Sequence, residues 1–359
     1  MRISGLNRTN IGKHGAMGVL AALACAGPAL AQGSYITFAV QGALTTTPTA
    51  INVALSVAGN YVDEFNVQHG FVRNPQGTIT PFDPAGSGST SPLSMNEGGS
   101  IAGYFHPAGP SGLLGPPVGF VRSPQGAITN FSVPGSFATV ANSINLGGAI
   151  TGYYQMGAPS TAAAGPGVHG FIRSPQGSIS TFDVQGSMGT YPTAINWLGI
   201  VTGYYFDANG RQHGFVRNAQ GVTASFDPQG SSATTPTGIN NDGTMAGYYL
   251  DFEDGQHGFI CTGQLAITTF DPPGGSPPQT FVSSINYDDS VTGYYNDRNQ
   301  VTHGFVRYSS GQMFSFDPPG SFGTWATSNH ATTVDAITGY YQWDGPQTGF
   351  IHMPATAGK

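Results

Sequence analysis

Apolar residues recur along this chain in short alternating bursts, with no sustained 3.6-residue rhythm. One stretch reads TPTGIN (235–240), TMAGYY (244–249), HGFIC (257–261) and AITTFD (266–271), each rich in β-branched or aromatic residues and bounded by Gly, Asn, Asp or Pro. Such segments predict strands. The first and second are joined by IN-x-x-G, and the third-to-fourth connection is typified by R-S-P-Q-G, so both place Gly where a tight hairpin needs positive φ. Four antiparallel strands, a to d, are expected in each unit.

The pattern then repeats. The glycines of HGF and its variants fall at Gly70, Gly119, Gly170, Gly214, Gly258, Gly304 and Gly349, giving seven units of 44 to 51 residues. Four short strands at that period predict an all-β fold, a seven-bladed β-propeller with four-stranded antiparallel blades. The last unit stops after strand c, at GFIHMPATAGK, whereas GSYITFAVQG (33–42) matches the strand-d segment GSISTFDVQG (177–186). A ring closed by the N-terminal strand (33–42) completing the last blade would leave no edge exposed there.

Five histidines are followed fourteen positions later by an aspartate: His69 and Asp83, His169 and Asp183, His213 and Asp227, His257 and Asp271, His303 and Asp317. The seven-residue arms about the turn at Gln220 place His213 and Asp227 opposite each other in the c–d hairpin. Where Val118 replaces the histidine, Ser132 replaces the aspartate; Thr348 in the last unit goes with Ala39 in the N-terminal strand. The pairs are lost together because a half-buried carboxylate without a partner is costly. They are read as framework, since catalysis needs one pair and a metal needs more ligands than one His and one Asp. The recurring Arg73, Arg122, Arg173, Arg217 and Arg307, and the GYY tyrosines such as Tyr204 and Tyr205, are read the same way.

The pattern G-x-I-T-G-Y-Y-x-D-x-x-G-x-x-H-G-F-V-R, approximated by Gly199 to Arg217, followed by G-x-x-x-x-F-D-P-x-G-S, resembles the HAF-type extracellular repeats of secreted bacterial proteins. The resemblance covers nearly all of residues 33 to 353 and departs from the pattern at Val118, Ser132, Thr348 and Ala39. It implies an extracellular repeat protein and carries over no catalytic residues.

The N-terminus fits that setting. Arg2, Arg8 and Lys13, the apolar run AMGVLAALACAG and Ala29-Leu30-Ala31 have the layout of a cleavable signal peptide, 1–31, and so predict a secreted or periplasmic protein. Lipid anchoring through Cys25 is a minor alternative. The propeller is then expected over 32–353, with a short tail at 354–359. Removing the signal leaves eight Lys and Arg against eighteen Asp and Glu, a net charge of −10, which disfavours nucleic acid and anionic membranes as partners. Cys261 is then the only cysteine, so no internal disulfide can form. No later apolar stretch is long enough to span a membrane, and a monomer is expected.

Function is sought where the repeats differ. The a-to-b and c-to-d turns share one end of the strands and have fixed spacing, eight residues from IN to GY if Ala331-Thr332 replaces IN in the last unit. That end reads as scaffold. The b-to-c interval is usually eleven residues but sixteen and eighteen in the second and third units, and the d-to-a interval is thirteen but fifteen in the last two. This variable-loop face is expected to bind a glycan or extracellular protein. Trp325 and Trp343 are candidate sugar platforms, and Asp251 and Asp254, with Glu253, form an acidic cluster suited to Ca²⁺. No other cofactor or metal is expected. The leading reading is a non-catalytic scaffold. The alternative is a polysaccharide lyase or glycosidase using His330, Asp344 or Glu253, all assigned to that face. No HExxH, Walker or CxxC pattern supports another class.

Overall fold

The computed structural model describes residues 33–157, 167–274, 278–330 and 335–354. The expected signal peptide with Cys25, Ala331-Thr332 and the tail beyond Pro354 lie outside the described residues. Among those residues there are 28 strands, and the helical content is one 3-10 turn, Pro110–Gly112.

The strands follow the repeat. In the fourth unit Gly189–Ile195, Val201–Phe206, Gln212–Arg217 and Thr223–Phe226 pair antiparallel in the order a-b-c-d. In the fifth, Ala233–Ile239, Met245–Leu250, Gln256–Cys261 and Ile267–Phe270 lie within two residues of the expected strands. The last unit contributes Gly323–His330, Ala336–Trp343 and Gly345–Met353. The N-terminal strand Ser34–Phe38 pairs antiparallel with Gly345–Met353, in a register running from Ser34 opposite Met353 to Phe38 opposite Gly349.

Local chemistry explains the repeated letters. A Cβ on Gly203 would lie 2.2 Å from the Tyr191 carbonyl oxygen, and one on Gly214 would lie 2.9 Å from the Phe226 ring, so the GY and HGF glycines permit strands and rings to close on one another. The next residue in HGF supplies the core. Phe71, Phe120, Phe171, Phe215, Phe259, Phe305 and Phe350 have no exposed surface. Each meets, edge to face, the strand-d phenylalanine of the preceding unit; Phe182 and Phe215 are 6.3 Å apart, and Phe38 and Phe71 are 6.2 Å apart. The five FVR-type arginines cover the same strand-d rings, as Arg217 does Phe182 at 4.7 Å. Cys261 and His352 occupy that position in the two units that lack the arginine.

All seven a strands carry a register shift at the same place, for example between Pro192 and Ala194 and between Ala326 and Ser328. In four of them the shift falls at Pro48, Pro92, Pro192 or Pro236, which have no N–H to give the ladder; in all seven the bulge re-aims the next side chain. Thr193 thereby donates to the Pro236 carbonyl at 2.8 Å, and Thr327 to the Pro48 carbonyl at 2.9 Å, joining one unit to the next.

The seventh unit departs from the expected register. Thr324 follows Phe316 by eight residues, as Thr234 follows Phe226. The ladder pairs Asn329 with Ile337 as it pairs Ile285 with Val291. Asn329 and His330 therefore hold the IN register, not Ala331 and Thr332. Counting back from GYY had assumed a turn of constant length.

Candidate functional site

All five His–Asp pairs form. Nδ1 of the imidazole lies 2.5 Å from the carboxylate in His213–Asp227, 2.7 Å in His69–Asp83, His257–Asp271 and His303–Asp317, and 2.8 Å in His169–Asp183. The other carboxylate oxygen reaches the following unit in three cases: Thr90 donates to Asp83 and Thr234 to Asp227 at 2.5 Å, and Thr280 to Asp271 at 2.7 Å. In these three the carboxylate joins strand d of one unit to strand a of the next.

The far side of the ring holds a partner that the fourteen-residue spacing did not reveal. Nε2 faces a second carboxylate six residues upstream: Asp63 at 3.3 Å from His69, Asp207 at 3.5 Å from His213, Asp251 at 3.2 Å from His257 and Asp297 at 3.7 Å from His303. The repeated D-x-x-x-x-x-H spacing was the available signal, broken in the third unit by its long b-to-c connection. Burial alone would lower the His69 and His257 pKa values, but the paired carboxylates outweigh it and raise both.

Asp251 consequently belongs to a turn clamp. Its Oδ2 faces His257, and its Oδ1 accepts the N–H groups of Glu253 and Gly255; His257 first, then these two bonds, hold its pKa below the ordinary carboxylate value. Glu253 and Asp254 are exposed neighbours. Among the described residues no group of three or more His, Cys, Asp or Glu is placed to hold a metal.

Trp325 stacks on Tyr340 at 5.2 Å, the arrangement that Tyr191 makes with Tyr204 and Phe281 with Tyr294. It is a packed repeat position. Trp343 is 46% exposed, and its Nε1 donates to the Pro346 carbonyl and to Thr348, closing its own turn beside exposed Asp344. His330 is not with these residues. Register pairs it with Ala336 at the a-to-b end of the hairpin, whereas Gly323 pairs with Gln342 at the other. Five residues of extended strand separate Trp325 from His330, about 16 Å.

At the a-to-b end the Asn of IN is a tie between units. Asn196 is the clearest case: its Oδ1 accepts the Ile200 N–H, while its Nδ2 donates to the Asn240 carbonyl at 3.0 Å. Asn96, Asn145 and Asn240 donate likewise to Asn145, Asn196 and Asn286. His330 takes this register in the seventh unit and instead places Nε2 2.6 Å from Glu97 of the second. The other Glu97 oxygen accepts the Val53 N–H at 2.8 Å, so the link crosses the first unit. Burial would raise the Glu97 pKa, but His330 and Val53 overcome it and hold the carboxyl low.

This link borders a cavity of about 350 Å³ lined from every a strand, by side chains including Thr49, Ser94, Ser143, Thr193, Thr237, Ser284 and Ser328. Glu97 and His330 are its lining Asp, Glu, His, Lys or Arg residues. The residue after each Asn differs from unit to unit: Val53, Glu97, Leu146, Trp197, Asn241 and Tyr287. Trp197 is 57% exposed and Tyr287 50%, and Asn241 accepts the Trp197 N–H. Fixed spacing had made this end look like scaffold. The variation lies in side chains, not in turn length.

No family model matches the chain, and no curated protein does. Solved structures do. The β-propeller domain of the Trilobed protease from Pyrococcus furiosus, described with an open velcro topology, aligns over 90% of this chain and 95% of its own with a TM-score of 0.59 and 8% identity. The fold is a β-propeller. The BP39L lectin from Burkholderia pseudomallei aligns with this propeller over 87% of the chain and 99% of its own at TM-score 0.52 and 9% identity. YCF48 bound to D1 peptide aligns over 89% and 97% at TM-score 0.52 and 8% identity.

Proposed function

We propose that this is a secreted or periplasmic HAF-type repeat protein, a seven-bladed propeller closed by its N-terminal strand, that serves as a non-catalytic scaffold for a glycan or extracellular protein. The ring reading is supported by the pairing of Ser34–Phe38 with the last c strand, by the Thr327 bond to Pro48, and by the cavity to which all seven a strands contribute. A lectin and a peptide-bound protein are among the proteins that share the fold.

The observation that carries the binding reading is the contrast at the a-to-b turns. Asn ties the units together, while its neighbour is free to be Trp, Glu, Tyr or Leu. A repeat that holds one residue and varies the next, at the mouth of a shared cavity, is built to present chemistry. The competing reading, a polysaccharide lyase or glycosidase, is favoured by one contact, the His330–Glu97 pair, which could move a proton at the cavity mouth. Incubation with a panel of immobilised glycans and extracellular proteins, followed by mass spectrometry of the bound material, separates the two. Retention without cleavage is expected. Chain cleavage that disappears in His330→Ala would establish the enzyme reading instead.

A further inference from the structure

The chemistry of the cavity wall narrows the ligand, given the proposal that this end of the propeller binds one. Ser and Thr alternate with small apolar groups such as Ala50 and Ala194 along the a strands; Thr49 and Thr193 donate to the Pro92 and Pro236 carbonyls, whereas Ser94 and Ser143 accept the Ile144 and Ile195 N–H groups and so keep their own O–H to donate. Glu97 and His330 face each other at 2.6 Å, and the second Glu97 oxygen is occupied by the Val53 N–H. A phosphate, carboxylate or ammonium entering here would lose water without gaining an uncommitted counter-charge. A neutral polyol would instead exchange hydrogen bonds with water for hydrogen bonds with hydroxyl groups.

The rim supplies the second requirement of a sugar. Tyr287 lines the cavity, is half exposed, and its ring centre lies 6.0 Å from that of His330. Trp197, more exposed still, is tied to the same rim through Asn241. Aromatic faces match the apolar face of a pyranose, and the amide beside them matches its hydroxyl edge. A volume of about 350 Å³ is within the range of small-molecule pockets. We infer that the a-to-b end of the cavity is a saccharide site that takes an uncharged pyranose unit, stacked at Tyr287 and hydrogen-bonded to the serines of the wall.

The test uses the mature chain, an array of neutral oligosaccharides with uronate-bearing and amino-sugar counterparts, and titration calorimetry with the strongest array hit. The expected result is selective retention of neutral sugars, at least tenfold weaker binding in Tyr287→Ala and in Ser328→Val, and unchanged binding in Trp343→Ala at the opposite end. A thermal melt of each variant separates loss of binding from loss of fold. Sugar binding lost in Trp343→Ala but retained in both cavity variants would overturn the cavity assignment and leave the scaffold reading standing. Preference for the charged sugars would overturn the ligand class. Blank arrays for both glycans and extracellular proteins would overturn the scaffold reading as well.

Discussion

The two ends of the strands use histidine in opposite ways. At the b-to-c end His69 and His257 sit between carboxylates that favour the protonated ring. At the a-to-b and c-to-d end His352 is 4% exposed, stacked between Tyr35 at 4.4 Å and Phe316 at 4.5 Å, and burial drives its pKa down to about 4 against a weaker opposing bond to the Ser34 backbone. The first environment favours the proton at a half-exposed rim. The second replaces a repeated arginine with a ring that must stay neutral, beside the strand from the N-terminus. Position in the repeat thus says little about protonation; what packs against the ring decides it.

Acid breaks this contrast most strongly. For His352 the folded pKa lies below the unfolded one of about 6.5, so its contribution is fully present above that pH and is lost as pH falls toward 4, by about 3 kcal/mol in all. For His69 and His257 the sign reverses: the raised folded pKa gives stability that is present below about 6.5 and is lost as pH rises through the folded value. Melting temperature measured from pH 4 to pH 7 should fall on the acid side, and His352→Gln should flatten that limb. An unchanged acid limb in the variant would show that His352 does not control it.

The next effect sharpens the account of the rim. His213→Ala and Asp227→Ala should each cost about 1.5 to 3 kcal/mol, and the double variant scarcely more than either, because removing one partner already strands the other. Urea titration of the four proteins checks this. Fully additive losses would mean that the 2.5 Å contact is not an energetic pair.

How far the sequence was legible follows from the same contacts. Hairpin turns, alternating apolar residues and paired losses at Val118 with Ser132 are local or repeated signals, and the strands and His–Asp contacts were readable from them. The Asp207 side of His213 was written in the spacing too, but its fifth-unit counterpart Asp251 was grouped with Glu253 and Asp254 because adjacent acids look like a metal loop. The register of His330 was obscured by a longer turn. The cavity could not be read at all, since it is made where seven distant a strands meet and no interval in one unit reports on the next. Constant spacing was mistaken for constant chemistry.

The smallest effect tests that last point within two adjacent residues. Asn196 is 3% exposed and bonds at both ends of its amide, to Ile200 within its turn and to Asn240 in the next unit. Asn196→Ala leaves the Ile200 N–H without its acceptor and takes from the Asn240 carbonyl its cross-unit donor, while the Gly243 N–H remains, a cost of about 1 to 3 kcal/mol. Trp197 follows it, mostly in solvent, its side chain absent from the ties that join the units. Trp197→Ala should change stability by no more than about 0.5 kcal/mol. Paired urea titrations therefore separate the residue that holds the turn from the residue the turn displays. If Trp197→Ala cost as much as Asn196→Ala, the exposed indole would be part of the framework, and the varied positions would have to be explained by packing instead of recognition.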